Sequence, residues 1–553
     1  MRATFNLVDE GWIRVRGIGG EIREVGIAEA LRDAHQIERL AGELPTQDFA
    51  VLRVLLAVLY RAVAPERLAD PIGEWQHLWQ ADGIPQSAVD EYLGRWRGRF
   101  DLIDPDRPFM QVPDLRNANG DWRSLELLVP DCPGDGAMFR RRDPSIPLEL
   151  GEAARWLVHC QAYDPSGIKS GAVGDKRVKG GRGYPTPVGW AGWMGGQFVE
   201  GANLRETLLL NLVLDREYHA DDLPLWEEDE HLTEKERPSA ISGPFGQLGL
   251  LTWPERRVRL RVEDRRVTEV LICNGDPIPY TLQRGHEQMT PWRFSDPQTK
   301  KAKAIVYMPR ALSRGRALWR GLETLLPDPT REKVSTKFGE AVASLPSGVV
   351  TWVGSLVAEG VLPADFEVRL VAAGVEYGPQ MSVIATVLTD RLNFAGILAG
   401  EIGSVHRAAA TTAVAETDSA VRALGNLADN LVVAAGGDAG AAREGASAQA
   451  YEELDREFRR WLRELGPDIS PDEHLQSWRE ECRRSIATRG EVLVHQAPPT
   501  AWRGRTHGGH VISVGQADLW FRRALAKALP ARCDPEAVST PADPAGPKER
   551  TER

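Results

Sequence analysis

Apolar residues occupy almost every position of DFAVLRVLLAVLYRAVAP, and that pattern predicts a helix over 47–64, buried around most of its circumference and stopped by Pro65. In FNLVDEGWIRVRG, Leu7, Val8, Ile13 and Val15 flank the turn-forming residues Asp9 to Gly11, so two short strands are expected there. Proline, glycine and aspartate dominate 101–147, which implies irregular chain with a few short strands. Helical spacing returns at 152–162 and 204–213. Between 244 and 374 the segments 268–273, 304–308 and 366–373 have strand character and alternate with helical ones.

After 380 the pattern becomes long and helical. The main segments are 382–398, 408–433, 450–465 and 471–489, with a fifth candidate at 515–529 and a flexible turn at 434–448. Amphipathic helices joined by short loops pack antiparallel as a bundle. The expected fold is therefore α+β: a large mixed α/β domain over 1–380, a C-terminal four-helix bundle over 381–530, and a disordered Pro- and charge-rich tail over 531–553.

Composition narrows the function classes. A chain of 553 residues exceeds one hydrophobic core, at roughly 100 to 200 residues per domain. The net charge of −11 argues against a free-standing nucleic-acid binder, which carries a basic domain, but leaves room for contact through local loops. Five cysteines without a CxxC pair, no early apolar stretch resembling a signal peptide and no run of about 18 apolar residues point to a cytoplasmic protein with reduced thiols.

Enzyme signatures are sparse. No Gly-Lys dipeptide exists for a phosphate-cradling loop, and GxSxG is absent. His507 and His510 in HGGH have no Cys, Asp or Glu motif beside them and are expected in a solvated loop, whereas His159 and Cys160 are adjacent helix residues that point apart and are expected in the core. The unusual feature is the loop 167–201, where Lys169, Lys176, Arg177, Lys179 and Arg182 stand among glycines that let a partner backbone approach. Gly180, Gly181 and Gly183 around Arg182 are the candidates for close approach. Two further basic clusters are Lys300, Lys301 and Lys303 after a turn-rich sequence, and Phe139 followed by Arg140, Arg141 and Arg142, a set suited to stacking on a base while gripping phosphates. These loops suit a nucleic-acid partner. They also leave open a nucleotide-processing enzyme with a glycine-rich lid, or an RNA-binding scaffold.

The order of FNLVDEGWIRV, FDLIDPDRPFMQV, GDGAMF, KGGRGYPTPV, LRETLLLNL and YGPQMSVI resembles the large subunit of the type I-E CRISPR surveillance complex, Cascade. The resemblance implies a non-catalytic subunit that needs no cofactor. It recognises the protospacer-adjacent motif (PAM) of double-stranded DNA from the minor groove, starts strand separation for the R-loop and helps to recruit a helicase-nuclease. Its implied partners are the guide RNA, the other Cascade subunits, target duplex and the displaced strand. Carried onto this sequence, a glycine loop falls on Gly180, Gly181, Arg182 and Gly183, and a strand-splitting glutamine wedge on Gln380, with Tyr377 and Met381 as supporting neighbours. A lysine finger falls on Lys301 or Lys300. Phe139 and Arg140 correspond to a contact with the 5′ handle of the guide RNA. Some relatives carry paired CxxC motifs that look like a zinc site; this chain lacks the pairs, so no structural zinc is expected.

Overall fold

The computed structural model describes residues 4–530 except 65, 131–142, 144, 216, 230–231, 238–242, 282, 329–330, 332 and 508. Phe139, Arg140 and the expected tail lie outside the described residues. The chain forms two compact units: residues 1–407 with 462–467, and 408–461 with 468–553.

The first unit is built around the helix Pro45–Val63, whose residues from Phe49 to Tyr60 are all buried. Pro45 presets its first turn, and the side chains of Gln47 and Asp48 accept the N–H groups of Glu43 (3.0 Å) and Gly42 (2.7 Å). Such a helix reads apolar all round because it is covered on every side: by the helices Leu150–Tyr163 and Gln86–Trp96, and by the strand Glu367–Tyr377. One polar residue on it, Arg53, is bidentate to Glu287 at 3.1 and 2.9 Å, and Trp190 Nε1 donates to the same carboxylate at 2.7 Å. Removing one partner of such a buried pair costs about 3–5 kcal/mol.

The central sheet has the order Ile384–Ala395, Glu367–Tyr377, Gly196–Glu200, all antiparallel. Gly196 lies against the Phe49 ring so closely that a Cβ would come within 2.6 Å of it. The expected helix over 382–398 is thus a 12-residue strand. Its β-branched residues (Ile384, Thr386, Val387, Thr389) favour the pleat, and pairing with 367–377 satisfies its backbone. That strand carries the first unit past residue 380, to Arg407. At the N-terminus one strand forms, not two. Ile13–Gly17 pairs with Ile22–Val25 and Ile37–Leu40, whereas Asn6 makes only an isolated bridge to Asp101.

The second unit holds the helices Ala441–Glu464, Pro471–His495 and Val514–Ala528 together with most of Ser404–Ala435. The segment 515–529 is thus a principal helix of the bundle. Trp478 is fully buried, donates to Thr417 Oγ1 at 2.9 Å and meets the Phe458 ring edge-on at 5.0 Å. The flexible turn expected over 434–448 is shorter, since helix resumes at Ala441. Asp429 Oδ1 accepts from Gly440 N–H (2.8 Å) and Arg443 N–H (3.1 Å), satisfying donors that a helix start leaves open. No helix among the described residues is long and apolar enough to cross a membrane.

Candidate nucleic-acid interface

The basic glycine segment contains a hairpin. Lys169–Ser170 pairs antiparallel with Arg182–Gly183, and the tip closes through Lys179 N–H to Arg182 O (3.1 Å) and Arg182 N–H to Lys179 O (3.2 Å). Gly180 and Gly181 have φ of +59° and +73°, positive at both central positions as a type I′ turn requires. A Cβ on either would meet nothing within 4 Å, so glycine serves the backbone conformation there and leaves the tip open to solvent. Gly183 differs: it is buried, and a Cβ would sit 2.8 Å from Asn274 Nδ2.

The five cations divide by task. Lys169 Nζ lies 2.6 Å from Asp164 Oδ2, and Arg177 grips Asp175 and donates to the Gly275 carbonyl at 2.8 Å. These two hold the hairpin down. Lys176, Lys179 and Arg182 are exposed and have no ion pair among the described residues.

Gln380 stands in the turn joining Glu367–Tyr377 to Ile384–Ala395. Both Gln380 and Met381 have φ of +56°, and both are exposed. Two consecutive non-glycine residues in the left-handed region are strained, and strain of that kind is kept where surrounding structure over-determines it. Here Gly378 N–H donates to Val383 O at 2.9 Å and Met381 N–H to Gly378 O at 3.0 Å. These backbone bonds close the turn and leave the glutamine exposed. Tyr377 does not flank it: its phenol is buried, donates to Tyr163 O at 2.8 Å, and burial pushes its pKa well above the usual range. Met381 is the neighbour left exposed.

The lysine cluster occupies the helix Asp296–Ala302 and its C-cap. Lys300 pairs with Asp296 at 2.6 Å, Lys301 is exposed without an ion pair, and Lys303 ends the helix at φ +56°. No hydrogen bond or ion pair joins this cluster to the glycine hairpin or the Gln380 turn among the described residues.

The hairpin and the turn do share a foundation, at the C-terminal end of the helix Leu150–Tyr163. Tyr163 receives Tyr377, while the next residue, Asp164, holds both Lys169 and Arg256 (Nε to Oδ2, 2.5 Å). Arg256 in turn donates to the Pro187 carbonyl at 2.9 Å, bracing the far side of the glycine segment. Sequence reasoning missed this buried group. Arginine and aspartate ordinarily mark surfaces, and these two are 92 positions apart.

The remaining candidates are structural. His159 is buried and within 3.0 Å of Thr46 Oγ1, and burial lowers its pKa to about 3; burial raises the Cys160 thiol. His507 and His510 face each other across a short hairpin, and no three His, Cys, Asp or Glu side chains cluster as metal ligands among the described residues.

The family model for CRISPR-associated protein Cse1 matches residues 6–488. The chain belongs to the Cse1 family. The family expected from the motifs, the large subunit of type I-E Cascade, is the one found. The CasA/Cse1 protein of Thermus thermophilus is 33% identical over 327 residues, which are 58% of this chain and 60% of that relative. Among solved structures, Thermobifida fusca Cse1 is 39% identical with a TM-score of 0.87, covering 96% of this chain and 99% of that one. Cse1 of Acidimicrobium ferrooxidans is 28% identical with a TM-score of 0.79, again covering 96% and 99%. The α+β architecture with its helical C-terminal region is thus the Cse1 fold.

Proposed function

We propose that this Cse1-family chain is the non-catalytic subunit through which a CRISPR surveillance complex recognises the PAM and begins to open target DNA. The hairpin tip at Gly180, Gly181 and Arg182 enters the minor groove, about 6 Å wide, where backbone without Cβ atoms fits. Gln380 wedges into the first base-pair step and meets exposed base edges with its amide. It must offset stacking of about 1.4 kcal/mol per step. Lys301 is the lysine finger, since Lys300 is engaged by Asp296. Once the strands part, guide RNA pairs with one and the other is displaced along the complex, which then recruits a helicase-nuclease.

The observation that carries this reading is the strained, exposed Gln380 knuckle at the end of a long hairpin, with its root in the same buried group as the glycine tip. A wedge must be stiff, because a flexible side chain on a flexible loop would yield before a base pair does. The nucleotide-lid alternative is less well supported, since Lys169 and Arg177 are spent inside the fold and are not available to close on phosphates.

The test is R-loop formation on PAM-bearing duplex by the reconstituted complex carrying Gln380→Ala. Initial duplex binding should persist while strand opening, read by permanganate reactivity, falls at least tenfold. Opening at the wild-type rate would overturn the wedge and favour the scaffold reading.

A further inference from the structure

A cavity of about 180 Å³ lies in the first unit between the central sheet and the helix Pro45–Val63, and its lining residues belong to neither the glycine hairpin nor the Gln380 turn. The strand register accounts for its floor. Phe198 is opposite Val371, which is opposite Arg391, and Ala373 is opposite Thr389. Directly opposed residues share a face, so these side chains cover one side of the sheet, the side on which Phe49 of the helix meets the Phe198 ring at 6.4 Å. Asp48 and Leu52, one turn apart on that helix, line the opposite wall. Thr389 and Arg391 are exposed, so the cavity reaches solvent along the edge strand Ile384–Ala395.

Most charges around the cavity are matched. Arg391 is bidentate to Glu200, and Glu43, just before the helix, is held by Arg155 at 2.8 Å. Asp48 is matched only in part: its Oδ1 accepts from Gly42 N–H at 2.7 Å, while its second oxygen has no hydrogen bond or ion pair among the described residues. Burial pushes this carboxyl up to about 6, so at neutral pH it carries its charge in poorly hydrated surroundings. Arg39 lines the same cavity and attracts Asp48 without forming an ion pair with it. Among the described residues the Arg39 guanidinium meets Leu40 O at 3.4 Å and Glu38 at 3.7 Å. The cavity therefore sets an apolar floor beside two opposite charges that do not meet.

We infer that this cavity binds a small zwitterion, an α-amino acid with a branched aliphatic or aromatic side chain, its ammonium group on Asp48, its carboxylate on Arg39 and its side chain on Leu52, Phe198 and Val371. The size is adequate, since a cavity of about 150 Å³ takes up benzene. A fatty acid would engage Arg39 but press hydrocarbon against the Asp48 charge, and a simple amine would satisfy Asp48 but meet the Arg39 cation. A ligand carrying both signs answers both groups. The site is independent of PAM recognition, so either reading can fail without the other.

The experiment is calorimetric titration of the full-length chain with L-leucine and L-phenylalanine, with isocaproate, which lacks the ammonium group, and isoamylamine, which lacks the carboxylate, as the comparison ligands. At least one amino acid should bind in the micromolar to millimolar range, and each comparison ligand about 10- to 150-fold more weakly, the range for losing a hydrogen bond to a charged group. Asp48→Asn, which keeps an oxygen for the Gly42 N–H, and Arg39→Gln should each weaken amino-acid binding by a similar factor while far-UV dichroism stays that of the parent. Arg39 is only half-buried, so Arg39→Gln tests the site even if Asp48→Asn fails to fold. No heat and no rise in melting temperature with either amino acid at millimolar concentration would overturn the inference. So would isocaproate or isoamylamine binding as tightly as the amino acids, or amino-acid binding undiminished in the folded variants.

Discussion

Replacing Gln380 with glycine should make the protein slightly more stable while removing its ability to open DNA. A non-glycine residue in the left-handed region is disfavoured by about 1–2 kcal/mol. The side chain makes no hydrogen bond among the described residues, so its removal forfeits no internal contact of that kind. Glycine relieves the strain but has about 0.5–1 kcal/mol more conformational freedom to lose on folding. The net effect of Gln380→Gly is a gain between zero and about 1.5 kcal/mol. Gln380→Val should move the other way by about 1–2 kcal/mol, because a β-branched residue at φ +56° is a steric outlier. The separation between the two variants, about 2 kcal/mol, is resolvable by urea unfolding of the first transition in the full chain, following tryptophan fluorescence. Both variants should fail in permanganate-detected strand opening. If glycine destabilises the chain by more than about 1 kcal/mol, or valine matches the parent, the knuckle is not strained in the way described and its rigidity has another source.

Two more outcomes are expected. Gly181→Asp at φ +73° introduces a Cβ that meets nothing inside the protein but strains the turn by about 1–2 kcal/mol, so the chain should still fold and assemble, while its charge weakens PAM-duplex affinity by at least tenfold in an anisotropy titration; loss of assembly would mean that the tip is a structural contact. His159 stays neutral in the fold down to about pH 3, whereas the unfolded ring binds a proton below about pH 6.5. Stability from this site is therefore complete above pH 6.5 and lost on acidification at about 1.4 kcal/mol per pH unit. His159→Gln should flatten the fall in melting temperature between pH 6.5 and 4, and an unaltered pH profile would contradict the assignment.

The helix Pro45–Val63 was legible in sequence because its signals are local: a continuous apolar run with a proline at each end. The strand Ile384–Ala395 was not, since its apolar positions fit helical spacing as well, and its identity is decided by a partner that precedes it across the Gln380 turn. The bundle was visible in outline, although alanines at 441–450 extended a helix into what composition suggested was a linker. In the candidate site, Lys-Gly-Gly-Arg carried the two-residue hairpin signal, but the length and glycine content of its surroundings obscured it. The Tyr163, Asp164 and Arg256 foundation had no local signature, because burial of an ion pair is a property of three dimensions.

The turn at Gly180 and Gly181 is closed by its own two backbone hydrogen bonds, while the ion pairs that fasten the hairpin lie outside it, at Lys169 and Arg177. Mutational change at the tip is thereby insulated from the core. If the tip reads the PAM as proposed, an invading genome that alters its recognition sequence imposes selection on a few solvent-facing positions, and the protein can answer there without renegotiating its fold. On that reading, the same insulation would let the tip be exchanged between relatives as a cassette.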